Sequence, residues 1–154
     1  MLLIALAVAS AQAPLPLEWA SFGRTASNSH VSETVEIATS RNTGADQFQY
    51  ELRYTKKSRG GEIETKWADS LECPSVRSVI YSMRNIQMPR PAPFGAPGEP
   101  MGVSLDGTRY FLIAPSTYEM GKITITSNEP SPLSKWVDSA LQQLKACWKI
   151  VRDQ

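Results

Sequence analysis

Two cysteines carry the most distinctive chemistry in this sequence. Cys73 and Cys147 are the only cysteines of the chain, and two thiols in an oxidising compartment tend to pair as a disulfide. Such a bond would close a loop of about 75 residues, for which the chain-entropy argument gives a stabilisation of about 4.5 kcal/mol. The alternative is two buried free thiols, which pack as small hydrophobic side chains. We predict the disulfide.

Nucleophilic catalysis would have to depend on a single histidine. His30 is the only one in the chain, so any Ser-His-Asp or Cys-His relay would have to include it. It lies at a predicted junction of loop and strand, where a surface or capping role is the simpler interpretation. Ser104 follows a glycine by two positions, but a nucleophile elbow also needs a glycine two positions later, where Asp106 stands. A closed zinc site needs four ligands, but the chain has one histidine and its two thiols are expected to be oxidised. The sequence therefore predicts no catalytic residue, no metal and no cofactor.

Paired carboxylates are the remaining catalytic candidates, because glycosidases use two of them. Glu62 and Glu64 share one face of a predicted strand, and Asp69 and Glu72 flank the entry to a predicted helix. The first pair is more simply a solvated face, opposite a core-facing Trp67. The second pair is more simply favourable charge near a helix N-terminus. A carboxylate-dependent hydrolase stays a third functional alternative.

Basic and aromatic side chains outside the predicted core are candidates for binding. Lys56, Lys57 and Arg59 form a basic hairpin tip. The tip is either a solvated turn or an electrostatic contact for an acidic partner or an envelope phosphate. Phe94 lies in a Pro-rich loop at 89–101, and exposed aromatic side chains are enriched where proteins contact partners.

The first thirteen residues predict export. Residues 1–9 are apolar and uncharged, and Ala11 and Ala13 supply the small side chains that a signal peptidase requires. The segment lacks the usual basic start, and the alternative is a buried N-terminal strand or helix. The apolar run is much shorter than the roughly 20 residues of a membrane-spanning helix. We therefore expect a periplasmic or secreted mature protein without a transmembrane segment.

Hydrophobic periodicity predicts the elements that position these residues. Alternating side chains predict three strands before the first helix, at 31–39, 48–57 and 62–67. A hairpin around Asp106-Gly107, which pairs Val103 with Tyr110, and a strand at 122–127 predict three more. Helical spacing predicts one helix from Pro74 to Ile86 and another from Pro132 to Val151, the second with Ser131 as its N-cap.

The order β-β-β-α-β-β-β-α predicts an α+β fold. We expect an antiparallel sheet of about five or six strands with two amphipathic helices packed antiparallel on one face. The expected organisation is a cleaved signal at 1–13, an irregular lead-in at 14–30 and a single domain at 31–154. Sixteen basic and fifteen acidic residues give a net charge of +1, which offers no electrostatic reason to expect a nucleic acid partner.

These observations favour an exported, non-enzymatic protein that binds a macromolecule or an envelope component, as an inhibitor, adaptor or assembly factor. The alternative is a periplasmic carrier of small molecules or lipids. In that case Tyr50, Tyr54, Tyr110 and Trp136 would line an apolar pocket between sheet and helices. The sequence makes no prediction about the partner's identity or the oligomeric state.

Overall fold

The computed structural model describes residues 18–41, 48–88, 107–116, 121–128 and 130–152, which form six strands and two α-helices. The strands make one antiparallel sheet in the order β4-β3-β2-β1-β5-β6. The predicted α+β class, with one antiparallel sheet and two helices, is confirmed. In chain order the elements are β1 Glu18–Ala26, β2 Val31–Arg41, β3 Phe48–Lys57, β4 Ile63–Asp69, α1 Pro74–Ser82, a 3-10 turn Met83–Asn85, β5 Thr108–Pro115, β6 Lys122–Asn128 and α2 Pro132–Leu144.

The core lies between the helices and one face of the sheet. Phe22 of β1 is fully buried, and its ring meets the Trp136 ring of α2 edge-on at 4.9 Å. Burying a side chain of this size contributes roughly 1.5–3 kcal/mol. The other face of the sheet, called here the open face, carries Thr34, Thr55 and Phe111, which are half-buried. The fully buried side chains with Phe22 include Val35, Ile37, Leu52, Val76, Val79, Val137 and Leu144.

The predicted disulfide between Cys73 and Cys147 is present, with Cα atoms 5.8 Å apart, a separation within the usual range for disulfides. Cys73 is the N-cap residue of α1, and Cys147 lies just beyond the end of α2. The bond therefore joins the beginning of α1 to the chain that leaves α2. At the end of α1, the Ser82 hydroxyl accepts a hydrogen bond of 2.8 Å from the Trp136 indole, so both ends of α1 are tied to the second helix or its continuation.

The start of α2 agrees with the sequence, but its end does not. The Ser131 hydroxyl accepts from the Ser134 amide, the Ser134 hydroxyl accepts from the Ser131 amide, both at 2.9 Å, and Pro132 begins the helix. The predicted continuation to Val151 is wrong, because α2 ends at Leu144. Beyond that point Cys147 bonds to Cys73 and Trp148 packs on Tyr54 of the sheet, whereas Ile150 and Val151 are exposed.

Residues 18–26 form strand β1, where the sequence predicts an irregular lead-in over 14–30. The strand lies between β2 and β5, in the middle of the sheet. Its alternation is hard to recognise because Ser21 and Gly23, which point to the open face, are small and buried. The observed order is therefore β-β-β-β-α-β-β-α, and the predicted order with three strands before the first helix is wrong.

The orientation of β4 is the reverse of the predicted one. Trp67 lies opposite Arg53 on the open face, and Ala68 is the β4 residue that enters the core. The indole of Trp67 is half-buried because the guanidinium carbon of Arg152 lies 4.9 Å from the ring centroid. A cation above the ring covers this aromatic side chain, so the prediction of a core-facing Trp67 is wrong.

The predicted hairpin around Asp106-Gly107 pairs Val103 with Tyr110, and the structure contradicts this pairing at Tyr110. Tyr110 of β5 lies opposite Arg24 of β1 on one side and Ser127 of β6 on the other. Both neighbouring positions are taken, so Tyr110 is not the partner of Val103. Residues 101–106 themselves lie outside the described residues, as do the predicted signal segment with Ala11 and Ala13 and the Pro-rich loop with Phe94.

The tight fit of β1 between its neighbours predicts that Gly23→Ala destabilises the fold. A Cβ atom at position 23 would overlap the carbonyl oxygen of Glu33 and lie 2.9 Å from Cε1 of Phe111. Overpacking of this kind costs about 1–3 kcal/mol. The free energy of unfolding measured in urea should therefore fall by at least about 1 kcal/mol.

Gly60→Ala is the matched control, because a Cβ atom there meets nothing within 4 Å. We expect it to change the free energy of unfolding by less than about 0.5 kcal/mol. Equal values for the two variants would contradict the described packing of β1.

Candidate functional site

The most connected group of polar side chains lies between the sheet and α2, and is called here the Arg24 cluster. Arg24 donates from Nε to Glu33 at 2.7 Å and from Nη1 to Asp138 at 2.6 Å. The Tyr54 hydroxyl donates to Glu33 at 2.6 Å, and the Tyr110 hydroxyl donates to Asp138 at 3.2 Å. One guanidinium group therefore joins β1, β2 and α2.

Strand register explains why these side chains meet. Arg24 lies directly opposite Glu33 on β2 and Tyr110 on β5, and directly opposite residues share one face of a sheet. That face is the one covered by the helices. Asp138 follows the fully buried Val137 on α2, which places its carboxylate at the margin of the core.

The contacts of the Arg24 cluster shift the pKa values of Glu33 and Tyr54. Burial alone would raise the pKa of Glu33, but hydrogen bonds from Tyr54 and Arg24, with the charges of Arg24 and Lys56, outweigh burial and lower the pKa. Burial raises the pKa of Tyr54, and its bond to Glu33 raises it further. A carboxylate with a lowered pKa is a weak base and a phenol with a raised pKa is a weak acid. The arrangement therefore favours a structural role over proton transfer.

The C-terminal tail, defined as residues 145–152, is attached first at the edge of the sheet. Beyond the disulfide of Cys147, Lys149 exchanges two backbone hydrogen bonds of 2.8 Å with Trp67 of β4. The Lys149 ammonium group also forms an ion pair with Glu72. These bonds occupy the backbone of β4 at Trp67, where an edge strand would otherwise offer unpaired groups.

The tail is attached to both faces of the sheet. On the helix-covered side, the Trp148 ring lies 5.3 Å from the Tyr54 ring. On the open face, Arg152 binds Glu51 through two hydrogen bonds of 2.5 and 2.9 Å, a bidentate geometry that is strong for an ion pair. The predicted helix over these residues is replaced by a segment that wraps the edge of β4.

The predicted basic tip lies in the turn between β3 and β4. Gly61 has a φ of 82° there, a conformation that glycine adopts without steric cost. Lys57 and Arg59 are exposed, whereas Lys56 is half-buried and its charge acts on Glu33. The tip therefore presents two cations to solvent, and the third contributes to the charge balance beside the Arg24 cluster.

Of the first pair of candidate carboxylates, one is already paired. Glu64 forms an ion pair of 2.7 Å with Lys66 on the same strand, and Glu62 is exposed in the turn. An exposed pair of this kind contributes about 0–1 kcal/mol. The two carboxylates lie at the tip end of β4, far along the strand from Asp69.

The second pair of candidate carboxylates stabilises the entry to α1. Asp69 accepts hydrogen bonds from the backbone amides of Leu71 and Glu72, at 2.6 and 3.0 Å. This is the local bonding by which aspartate favours turns. Because Glu72 is bound to Lys149, both carboxylates have structural contacts.

The four aromatic residues of the carrier hypothesis lie on the helix-covered face, but protein groups surround them. Tyr50, Tyr54 and Tyr110 are buried. The hydroxyl groups of Tyr54 and Tyr110 are hydrogen-bonded within the Arg24 cluster. Trp136 packs on Phe22, and its indole N–H donates a hydrogen bond to the Ser82 hydroxyl of α1. These side chains fill the core, and the carrier function stays a prediction.

Two sequence candidates remain, His30 and Ser104, and Trp19 is a further aromatic side chain, on β1. His30 is exposed with a φ of 52°, and its amide donates to the Ala26 carbonyl at 3.1 Å, which closes the turn between β1 and β2. Trp19 is half-buried against Tyr50. Ser104 lies outside the described residues. Neither His30 nor Trp19 is joined to the Arg24 cluster by the observed contacts.

Sequence reasoning missed the Arg24 cluster because it missed β1. Without that strand, nothing places Arg24 opposite Glu33. Asp138 borders the apolar stripe of α2, and an acidic residue at such a border is only a weak signal for an ion pair beneath the helix. A correct pairing of β1 with β2 would have been needed to find the cluster.

Wider searches add no assignment to the site. In residues 18–152, within the ranges described above, no group of three or more His, Cys, Asp and Glu side chains is arranged to hold a metal ion. In the same part of the chain, no helix has the length and apolar character needed to cross a bilayer. Comparisons with protein-family models, curated proteins and solved structures found no match to this chain.

The Arg24 cluster predicts that Arg24→Met lowers the free energy of unfolding by about 1–3 kcal/mol at neutral pH, because two carboxylates lose their cation. The Arg24 side chain is 36% exposed, so solvent screening keeps the loss below that of a fully buried pair. Lys66→Met, which removes a single ion pair between a half-buried lysine and the exposed Glu64, is the matched control and should cost less than about 1 kcal/mol. If both variants lost the same free energy of unfolding in urea, the proposed contribution of the Arg24 cluster to stability would be contradicted.

The same measurements against pH test the state of Glu33. A carboxylate whose pKa is lower in the folded state contributes stability that is present above its unfolded value, 4.5 here, and is lost as pH falls through the folded value. Below pH 4.5 the wild-type protein should therefore lose this contribution. Glu33→Gln, which cannot ionise, should show a flatter dependence, and parallel curves would contradict the lowered pKa.

Proposed function

We propose that this chain is an exported, non-enzymatic protein that binds a macromolecule or a component of the cell envelope. The observation that carries the proposal is that the carboxylates of the chain's best-connected sites have structural partners. Glu33, Asp138, Glu51 and Glu72 bind cations of other elements, and Asp69 binds backbone amides. Groups that join elements are poorly suited to acid–base chemistry, whereas exposed cations and hydrophobic side chains suit contact with a partner.

Export is supported by two independent features. The disulfide is consistent with an oxidising compartment such as the periplasm or the extracellular space. The apolar N-terminal residues, with Ala11 and Ala13, have the pattern of a cleaved signal. We therefore propose a periplasmic or secreted location.

The proposed contact segments are the basic tip at 56–61 and the Pro-rich loop at 89–101 with Phe94. Lys57 and Arg59 are exposed, and neither forms an ion pair with another described residue. A partner with acidic side chains or phosphate groups would complement the tip. Proline-rich segments are pre-ordered as extended chains and are therefore common in recognition.

Neutralising the tip tests this proposal. We expect Lys57→Gln/Arg59→Gln, or deletion of residues 89–101, to reduce partner recovery about tenfold when the protein is chemically cross-linked in its native envelope and purified. Charges at the rim of an interface act chiefly on association and on its salt dependence. Salt screens the attraction of the tip cations in the wild type, so the difference in recovery between the wild type and the tip variant should shrink as salt is added.

Lys135→Gln/Lys145→Gln is the matched control, because it removes two exposed cations from the α2 region. It should leave recovery unchanged, and circular dichroism should show the same sheet content in all variants. Unchanged recovery with both the tip variant and the loop deletion would refute the proposed contact segments.

A further inference from the structure

The exposed side of α1 carries positive charge without negative charge. Arg77 and Tyr81 are four residues apart and therefore lie on one side of the helix, and Arg84 follows in the 3-10 turn. No residue between 74 and 85 is acidic. Tyr81 and Arg84 are exposed, and Arg77 is half-buried.

Aromatic side chains of the sheet adjoin these residues. The guanidinium carbon of Arg77 lies 5.7 Å from the Tyr50 ring centroid, and the Trp19 ring lies 6.0 Å from Tyr50 on the sheet side. Burial raises the pKa of Tyr50, and the charge of Tyr81 adds to this effect while Arg77 opposes it. The three side chains Tyr50, Arg77 and Tyr81 therefore form one group.

This group includes hydrophobic surface. Phe48 precedes Tyr50 by two residues on β3, so both side chains point to the same face. Phe48 is 57% exposed and Tyr81 is 56% exposed. Exposed aromatic side chains beside arginine are the composition of interface hot spots. We name this surface the α1 patch; its members are Phe48, Arg77, Tyr81 and Arg84, and the buried Tyr50 ring lies beneath Arg77.

Among the described residues, the carboxylates closest to the α1 patch in the chain have other partners. Glu51 binds Arg152, Glu72 binds Lys149, and Asp69 accepts from two backbone amides. Among the described residues, neither Arg77 nor Arg84 forms an ion pair. The patch therefore combines exposed aromatic surface with guanidinium groups whose charge is not neutralised within the described part of the chain.

We infer that the α1 patch binds an extended protein segment in which acidic side chains alternate with large apolar ones. The carboxylates would pair with the guanidinium groups of Arg77 and Arg84, which form strong charge-assisted hydrogen bonds. The apolar side chains would cover Phe48 and Tyr81. A membrane surface fits less well, because recognition of anionic lipid headgroups generally uses clusters of about 4–8 Lys and Arg.

This inference rests on the proposed binding function and adds a surface and a partner chemistry to it. The α1 patch is separate from the basic tip, because Phe48 begins β3 and Lys57 ends it. A strand of this length separates its ends by roughly 30 Å. The two surfaces can therefore be tested independently with variants of the same chain.

The test uses a dye-labelled peptide of about twelve residues in which Glu-Phe-Asp-Leu is repeated. Its binding to the oxidised full-length chain is followed by fluorescence anisotropy. We expect binding that weakens as salt is added, and that is about tenfold weaker with Arg77→Gln/Arg84→Gln and similarly weaker with Tyr81→Ser. Lys135→Gln/Lys145→Gln, the matched control for charge, should bind within about twofold of wild type.

Several outcomes would overturn the inference. These are no binding to the wild-type chain, unchanged binding by the Arg77→Gln/Arg84→Gln variant, and equal binding of a peptide with lysine in place of its acidic residues. Binding of phosphatidylglycerol vesicles in place of the peptide would reassign the patch to lipid and would also overturn it. Arg84 is exposed and forms no ion pair with another described residue, so Arg84→Gln alone should leave the fold intact. Weaker peptide binding by this single variant would therefore not be a consequence of misfolding.

The outcome also separates this inference from the proposed function. Recovery of an envelope partner that is lost with Lys57→Gln/Arg59→Gln but kept with Arg77→Gln/Arg84→Gln would overturn the α1 patch alone. Absence of any partner in envelope cross-linking, together with peptide binding at the patch, would overturn the tip and loop as contact segments and leave the patch intact.

Discussion

The covalent bond between Cys73 and Cys147 sets the relation between the helices and the sheet. It joins the N-cap residue of one helix to the chain that leaves the other, so neither helix can move off the sheet without carrying the other. The entropic stabilisation of about 4.5 kcal/mol expected for such a loop is a large part of the roughly 5–15 kcal/mol that stabilises a typical domain. It also directs the C-terminal tail to the edge of β4, where Lys149 and Arg152 complete the attachment.

Charged side chains make the second set of long-range connections, and this has a consequence for function. Arg24 joins two strands to α2 beneath the helix, and Arg152 joins the tail to β3 on the open face. Carboxylates that would be attractive for catalysis in another setting, such as Glu33 and Asp69, are acceptors in these or in local contacts. The interior is accordingly well connected, and among the described residues the surfaces that we propose for a partner are the basic tip and the α1 patch.

The parts of the fold that could be predicted are those with local signals. Ser131 and Pro132 mark the start of α2 because capping depends on adjacent residues, and the alternation from Phe48 to Lys57 is visible because only one face of β3 is apolar. The disulfide was predictable from composition and the expected compartment. Each of these inferences depends on short stretches of chain, where propensity and periodicity decide the structure.

The parts that could not be predicted depend on distant contacts. Strand β1 is concealed because it lies in the middle of the sheet and needs small residues, Ser21 and Gly23, where Phe111 crosses it. Trp67 suggested a core position, yet a cation from the far end of the chain covers it on the open face. The end of α2 was misplaced because Cys147 and Trp148 continue the apolar stripe although they lie beyond the helix, where Cys147 bonds to Cys73 and Trp148 packs on Tyr54. The Arg24 cluster depends on the pairing of β1, so it could not be found without that strand.

Hydrogen exchange measured by mass spectrometry on the oxidised and the reduced chain tests the role of the disulfide most directly. The amides of Trp67 and Lys149 bond to each other's carbonyl groups at the tail, and exchange reports local opening of such bonds. On reduction, we expect these two amides to lose protection while the amides in the middle of β1 and β2 keep theirs. Equal protection of Trp67 and Lys149 in both forms would contradict the account, because the tail would then be held on the sheet without the covalent bond.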